Sequence, residues 1–353
     1  MKNAKKILII YTGGTIGMIK SKRGDYIPSP NYLTNKIKNM QIFSHSDIPE
    51  FDILEHENLI DSSNLAPHHW ELITNDISNN YDKYDGFIIL HGTDTLAYTA
   101  SALSFMLQNL AKPVIVTGSQ IPISQIRSDG FDHIIDSLLI ASKCHFIHEV
   151  SVYFNKKLFR GNRVKKINSD SMNAFDSPDF QPLAQVKIDI QVNMNLLLKP
   201  NYNKTLSIKK LSTPEVAMIS IFPGIKHSFL EQILHLPLNG IILRTYGAGN
   251  APTEPKFLKA LSDACARGIV IVNCSSCATG TVNMQAYATG CEMLDRGIVS
   301  GYDMTDEAAL TKLYYLFGAG LDVKNIRLQM QENLCGELTK YQTSAIQNDQ
   351  QIY

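Results

Sequence analysis

The chain has 353 residues, 44% hydrophobic and 19% charged. That is enough to bury a large core without disulfide staples, and it points to about two domains of an ordinary globular protein. Lys+Arg and Asp+Glu both number 33, so the formal net charge is zero. This argues against a nucleic-acid binder, whose contact face needs a basic excess, and against a disordered chain.

The lysines of residues 1–6 imitate the charged start of a signal peptide, but the apolar run from Ile7 ends at Tyr11. A secretory segment needs about 7–15 apolar residues, so this run reads as a buried first strand. No run approaches the roughly 18 apolar residues of a membrane span. Six dispersed cysteines (Cys144, Cys265, Cys274, Cys277, Cys291 and Cys335) are expected to be free thiols in a cytoplasmic protein. Further strands are expected at 86–91, 113–117 and 149–154, alternating with helices at 67–80, 95–109 and 128–142. Pro67 suits a first helical position. Ala100, Leu103, Met106, Leu107 and Leu110 recur at helical spacing. From Ile188 to Pro214 the pattern dissolves into asparagine- and proline-bearing sequence, read as a linker with one or two short strands. Alternation then resumes: strands at 216–221, 240–244 and 268–273, helices at 226–234, 254–266, 305–317 and 322–330. The expected organisation is an N-terminal α/β domain over residues 1–190, a linker over 191–213 and a smaller α/β domain over 214–353. The tail from Thr343 is polar and expected to fray.

In open α/β sheets ligands bind outside the carboxyl ends of strands. Two segments sit there: Thr12-Gly13-Gly14-Thr15-Ile16-Gly17 after the first strand, and His91-Gly92-Thr93-Asp94-Thr95 after Phe87-Ile88-Ile89-Leu90. Each ends a strand in glycine, which lets backbone approach a ligand, and then presents hydroxyls. Gly13, Gly14 and Gly17 do not have dinucleotide-fingerprint spacing, and no Walker A lysine follows them. No G-x-S-x-G elbow or H-E-x-x-H helix occurs. Cys274-Ser275-Ser276-Cys277 lacks a second pair, so no metal is expected there. His68 and His69 read as surface or capping residues. Arg160, Arg163, Lys165 and Lys166, taken alone, read as a solvated basic patch.

The two glycine–threonine segments together resemble the paired signatures of bacterial L-asparaginases, in particular the type I, cytoplasmic branch. Supporting blocks are Asp61-Ser62-Ser63, 98–106, Val116-Thr117-Gly118-Ser119-Gln120-Ile121-Pro122, Arg160-Gly161-Asn162-Arg163 and Gly247-Ala248-Gly249-Asn250-Ala251-Pro252. The likeness runs from about residue 5 to about 340. It implies an asparaginase/glutaminase-like fold, with a larger N-terminal mixed sheet and a smaller C-terminal parallel, Rossmann-like sheet. It also implies hydrolysis of L-asparagine to L-aspartate and ammonia without a cofactor or metal, in a homodimer or homotetramer that engages neither nucleic acid nor membrane.

By the same resemblance Thr15 matches the nucleophile and Tyr26 a residue that closes over the substrate. Asp61, Ser62 and Ser63 match the grip on the α-amino and α-carboxylate groups. Thr93, Asp94 and Lys166 match a second catalytic triad, Asp94 also meeting the substrate ammonium, and Ser119 lines the pocket near the side-chain amide. Those residue types suit amide hydrolysis: a threonine hydroxyl is weakly nucleophilic until a neighbour takes its proton, and Lys166 held by Asp94 is the candidate base. Arg163 and Lys165 would favour its neutral form if folding brings them near. Backbone N–H groups at the glycine turns are candidate oxyanion donors. Some members of the branch are activated by asparagine at a second site, built from an arginine matching Arg244, residues around Cys277 and a threonine where this chain has Lys165. A long cation in place of a small hydroxyl would crowd or recharge that pocket, which argues against effector control by asparagine. Rival readings are a mixed glutaminase-asparaginase, since one methylene separates the substrates, and a non-catalytic amino-acid sensor on the same fold.

Overall fold

The computed structural model describes residues 5–199 and 203–340. The expected frayed tail from Thr343, and Pro200 and Asn201 of the expected linker, lie outside the described residues. By its contacts the chain divides into two units, one running to Glu215 and including Thr305–Asp322, the other formed by Val216–Met304 and the chain from Val323.

The first unit is built on an eight-stranded sheet. Its order is Ile190–Val192, Ala184–Val186, Lys157–Arg160, Val150–Phe154, Val114–Thr117, Gly86–Leu90, Lys6–Gly13 and Glu50–Ile60. The last five run parallel and the first three are antiparallel, a mixed sheet. The parallel strands are apolar on both sides because both faces are covered. Ile7, Ile9 and Tyr11 enter one core with Ile134 and Leu138 of the helix Gly130–Lys143. Leu8 and Ile10 enter the other with Ile73 and Leu103 of the helices Pro67–Asn80 and Leu96–Met106. Each such side chain contributes about 1.5–3 kcal/mol on burial.

The helix expected to reach Asn109 stops at Met106, where Leu107 and Gln108 pair with Ser207 and Ile208. Pro67 is the first helical residue as expected, and His69 Nδ1 accepts from the Ala66 N–H, a capping role. Glu50–Ile60 went unread in the sequence. It is the sheet's edge, and its acidic residues mask the strand signal while discouraging edge-to-edge pairing. The late helix Asp306–Gly318 belongs to this unit: Tyr315 stacks on Phe105 with ring centres 5.8 Å apart. Leu211 joins Trp70 and Met106 in a small core of its own.

The second unit holds a four-stranded parallel sheet in the order Val216–Ser220, Gly240–Thr245, Val270–Ser275, Val299–Ser300. Ile219, Ile241, Leu243 and Ile271 pack with Phe257 and Leu261 of the helix Pro255–Ala266. None of the described helices is long and apolar enough to cross a membrane.

Candidate active site

Four neighbouring parallel strands end side by side, and each delivers one of the expected site segments. Glu50–Ile60 leads to Asp61-Ser62-Ser63, Lys6–Gly13 to Thr15, Gly86–Leu90 to Thr93 and Asp94, and Val114–Thr117 to Ser119. The chain steps from Lys6–Gly13 to its neighbour on one side, then crosses to Gly86–Leu90 on the other. A crevice forms at such a switch of direction.

Two glycines set how closely the loops approach. Gly14 has φ 86°, and a Cβ there would stand 2.3 Å from the Gly92 Cα. A Cβ on Gly92 would stand 2.5 Å from Ser62 Oγ. Any side chain at either position would force the loops carrying Thr15, Thr93 and Ser62 apart. Gly14 N–H donates to the Ile60 carbonyl at 3.0 Å, and Thr95 Oγ1 donates to the Ser62 carbonyl at 2.8 Å, tying these loops together.

Lys166 completes the cluster from the short strand Lys165–Lys166. Its Nζ donates to Thr93 Oγ1 at 2.8 Å and to Asp94 Oδ1 at 2.7 Å. Thr93 is 6% exposed, whereas the Asp94 carboxylate is 63% exposed. The structure therefore brings Thr93, Asp94 and Lys166 into direct contact. Successive residues of a strand face opposite ways, and Lys165 turns to Asp306, Nζ to Oδ2 at 2.6 Å. Arg163 is buried, its guanidinium 5.1 Å from the Phe180 ring, and Arg160 is buried on Glu149. The run of cations is thus dispersed into separate partnerships, and the solvated-patch reading fails for both arginines.

Thr93 N–H donates to no described residue although Thr93 is buried, which leaves a backbone donor at the strand end. Ser119 is 1% exposed and its Oγ has no hydrogen-bond partner among the described residues. Asp61 Oδ1 accepts from the Ser63 N–H at 3.1 Å, and Ser62 is buried. Thr15 opens a single 3₁₀ turn, Thr15–Gly17. Tyr26 lies on a separate two-stranded ribbon, paired with Lys20 and 41% exposed. The expected effector residues are divided between the units. Lys165 lies in the first. In the second, Arg244 is the last residue but one of the strand Gly240–Thr245, with Nη1 3.3 Å from Ser220 Oγ, and Cys277 is exposed just after the neighbouring strand.

Several supports were not legible in the sequence. Asp129 accepts from the N–H groups of Gln120 and Ile121, both at 3.0 Å, and His133 Nδ1 lies 2.8 Å from the Gly118 carbonyl; together they hold the Ser119 turn. Burial depresses the pKa of His133, which favours its neutral form. His91 is 2% exposed, and burial lowers its pKa to about 4. Glu307, adjacent to Asp306, is buried, which raises the pKa of its carboxyl group. No group of three or more potential metal ligands was found among the described residues.

Residues 6–198 match the family model described as Asparaginase, N-terminal, and residues 215–330 match the Glutaminase/Asparaginase C-terminal domain. The chain belongs to the asparaginase family. It is 46% identical over 335 residues to L-asparaginase 1 of Escherichia coli (strain K12), covering 95% of this chain and 98% of that one. It is 34% identical to the L-asparaginase of Thermococcus kodakarensis, over 95% and 99% of the two chains. The crystal structure of L-asparaginase I from Vibrio cholerae superposes with a TM-score of 0.88 at 44% identity, covering 96% of this chain and all of that one.

Proposed function

We propose that this chain hydrolyses the side-chain amide of L-asparagine, giving L-aspartate and ammonia. The observation that carries the reading is the contact of Lys166 Nζ with both Thr93 Oγ1 and Asp94 Oδ1, on a turn packed through Gly92 against the loop of Thr15. The 46% identity to an L-asparaginase over nearly the whole chain supports the substrate.

In this reading Asp94 takes the substrate ammonium and the Asp61-Ser62-Ser63 turn grips the α-carboxylate by charge-assisted hydrogen bonds. Ends fixed in this way hold the carboxamide between the two threonines. Thr15 Oγ1 attacks the amide carbon, and the carbonyl oxygen becomes an oxyanion stabilised by Thr93 N–H. One such donor is commonly worth about 2.7–4 kcal/mol. The C–N bond then breaks, the nitrogen takes up the proton that the Thr15 hydroxyl gave up on attack and leaves as ammonia, and a β-aspartyl ester remains on Thr15. Water deprotonated through Thr93 and Lys166 attacks the ester, frees aspartate and returns the hydroxyl to Thr15. A general base of this kind contributes about 10²- to 10⁴-fold. Tyr26, on its exposed ribbon, closes over the bound substrate, and Ser119 Oγ faces the carboxamide.

A cytoplasmic setting is supported by six free cysteines. Self-association as a homodimer or homotetramer is part of the same proposal. Ammonia release by purified protein from L-asparagine, with L-glutamine in parallel, tests the function. Turnover of asparagine with a clear preference over glutamine is expected. Stoichiometric binding without ammonia release would sink the hydrolase reading.

A further inference from the structure

His91 precedes the Gly92–Asp94 turn and carries two directed hydrogen bonds through its ring, neither of them to an expected site residue. Its Nδ1 lies 2.8 Å from the Gly92 carbonyl and its Nε2 lies 2.9 Å from Thr99 Oγ1. The Thr99 oxygen in turn receives the Trp70 indole N–H at 3.0 Å. An indole N–H can only donate and a carbonyl can only accept. Nδ1–H therefore donates to Gly92 O and Trp70 donates to Thr99. Burial favours the neutral imidazole, in which Nε2 accepts and Thr99 donates to it, so that the chain of bonds runs in one direction. All three side chains are buried, Trp70 at 4%, Thr99 at 0% and His91 at 2% exposure, so water does not compete for these bonds.

The consequence lies one bond further on. A trans peptide is planar, with its C=O and N–H pointing in opposite directions. Pinning the Gly92 carbonyl toward His91 therefore turns the Thr93 N–H away from the core, and that N–H has no partner within the described residues. The same peptide plane fixes the start of Thr93, whose hydroxyl meets Lys166. We propose that His91 is a positioning residue for this amide hydrolysis. It aims the Gly92–Thr93 peptide, and Trp70, the chain's single tryptophan, is coupled to that peptide through Thr99. The proposal rests on the asparaginase reading above.

The test separates the two bonds of the imidazole. In H91N the amide nitrogen can occupy the place of Nδ1 and keep the bond to Gly92. H91Q can reach Thr99 but leaves the Gly92 carbonyl free, and H91L makes neither bond. A misaimed group of this kind costs up to about 100-fold. Expected are a roughly 10- to 100-fold fall in kcat for H91L and H91Q with KM within about threefold, and H91N within about fivefold of wild type in kcat. L-Aspartate, the unreactive product, should shift Trp70 emission saturably in wild type and H91N, and not in H91L. Should H91L fail to fold, H91N against H91Q decides the matter. Equal kcat in wild type, H91Q and H91L, or H91N falling as far as H91Q, overturns the positioning role. An emission unmoved by L-aspartate at concentrations that inhibit wild type overturns the coupling to Trp70. Wild-type protein that releases no ammonia from L-asparagine instead refutes the underlying function, a separate outcome.

Discussion

Replacing Lys166 with arginine or methionine separates what its charge does from what its proton does. Arginine keeps a cation near Asp94 and can still donate to Thr93, but a guanidinium does not surrender its proton at working pH. If Lys166 serves as the base that draws the proton through Thr93, K166R and K166M should fall alike, by about 10²- to 10⁴-fold in kcat. At 1.36 kcal/mol per factor of ten, this is roughly 2.7–5.4 kcal/mol of transition-state stabilisation. The effect on stability should be small. The Asp94 carboxylate is 63% exposed, so water recovers most of what the lost ion pair supplied, and pairs of this kind are worth about 0–1 kcal/mol. Steady-state ammonia release over a range of asparagine concentrations, together with urea unfolding, measures both quantities. K166R at more than a tenth of wild-type kcat would show that a fixed cation suffices, and would remove the lysine from the proton path.

Three further expectations follow from the same geometry. Thr15→Val and Thr93→Val, which exchange a hydroxyl for a methyl group at nearly constant volume, should each lose several orders of magnitude in ammonia release while keeping the wild-type circular dichroism spectrum; normal turnover by T15V would end its nucleophilic role. Gly14→Ala should lower both kcat and the melting temperature. It asks an L residue to adopt φ 86° and places a Cβ 2.3 Å from the Gly92 Cα, so an unchanged melting temperature would mean that the loops do not abut in this way. His91 supplies a pH dependence of stability. Its folded pKa of about 4 lies below the ordinary 6.5, so the unfolded chain binds this proton more readily. The contribution is present in full above pH 6.5 and is lost as pH falls towards 4. At 1.36 kcal/mol per unit it amounts to about 3 kcal/mol. The difference in unfolding free energy between wild type and H91N should therefore slope across that window, and a flat difference would show that the imidazole is not held neutral.

The parts of the fold legible in the sequence are those whose burial is symmetric. Ile7–Tyr11 and Phe87–Leu90 are apolar runs because helices cover both faces of the parallel sheet, so nothing polar interrupts them. Glu50–Ile60 pairs along one side only, and its acidic residues conceal an eleven-residue strand. The helix Asp306–Gly318 was read as a helix, but its place against Leu96–Met106 depends on contacts such as Phe105 with Tyr315 that no local pattern announces. The site divides in the same way. Thr15, Thr93 and Asp94 stand out because strand, glycine and hydroxyl follow one another along the chain. Lys166 meets Thr93 across 73 residues, and only the family resemblance singled it out from Lys165 beside it. His91 is part of a legible motif, but what it does depends on Trp70 and Thr99, one on each of two helices.

The exposure of the site residues carries a last consequence for specificity. The outer groups are charged and wet, Asp61 and Asp94 both being exposed, whereas the inner groups are neutral and dry: Ser62 at 4%, Thr93 at 6% and Ser119 at 1%. Stripping water from a charge costs far more than stripping it from a hydroxyl that then finds a partner. A substrate with a zwitterionic end and a neutral carboxamide is therefore held most cheaply with its charges at the mouth and its amide inside. The span between the two zones is set by backbone, since Gly92 seats directly on Ser62, and it does not stretch as a flexible side chain would. On the proposed binding mode, an amide longer by one methylene must either withdraw its carbonyl from the Thr93 N–H or lift its ammonium from Asp94. Either loss falls on the transition state, so discrimination between asparagine and glutamine should appear in kcat as well as in KM. Its size should exceed the roughly 1–3 kcal/mol that a missing or extra methylene is worth in a merely apolar pocket.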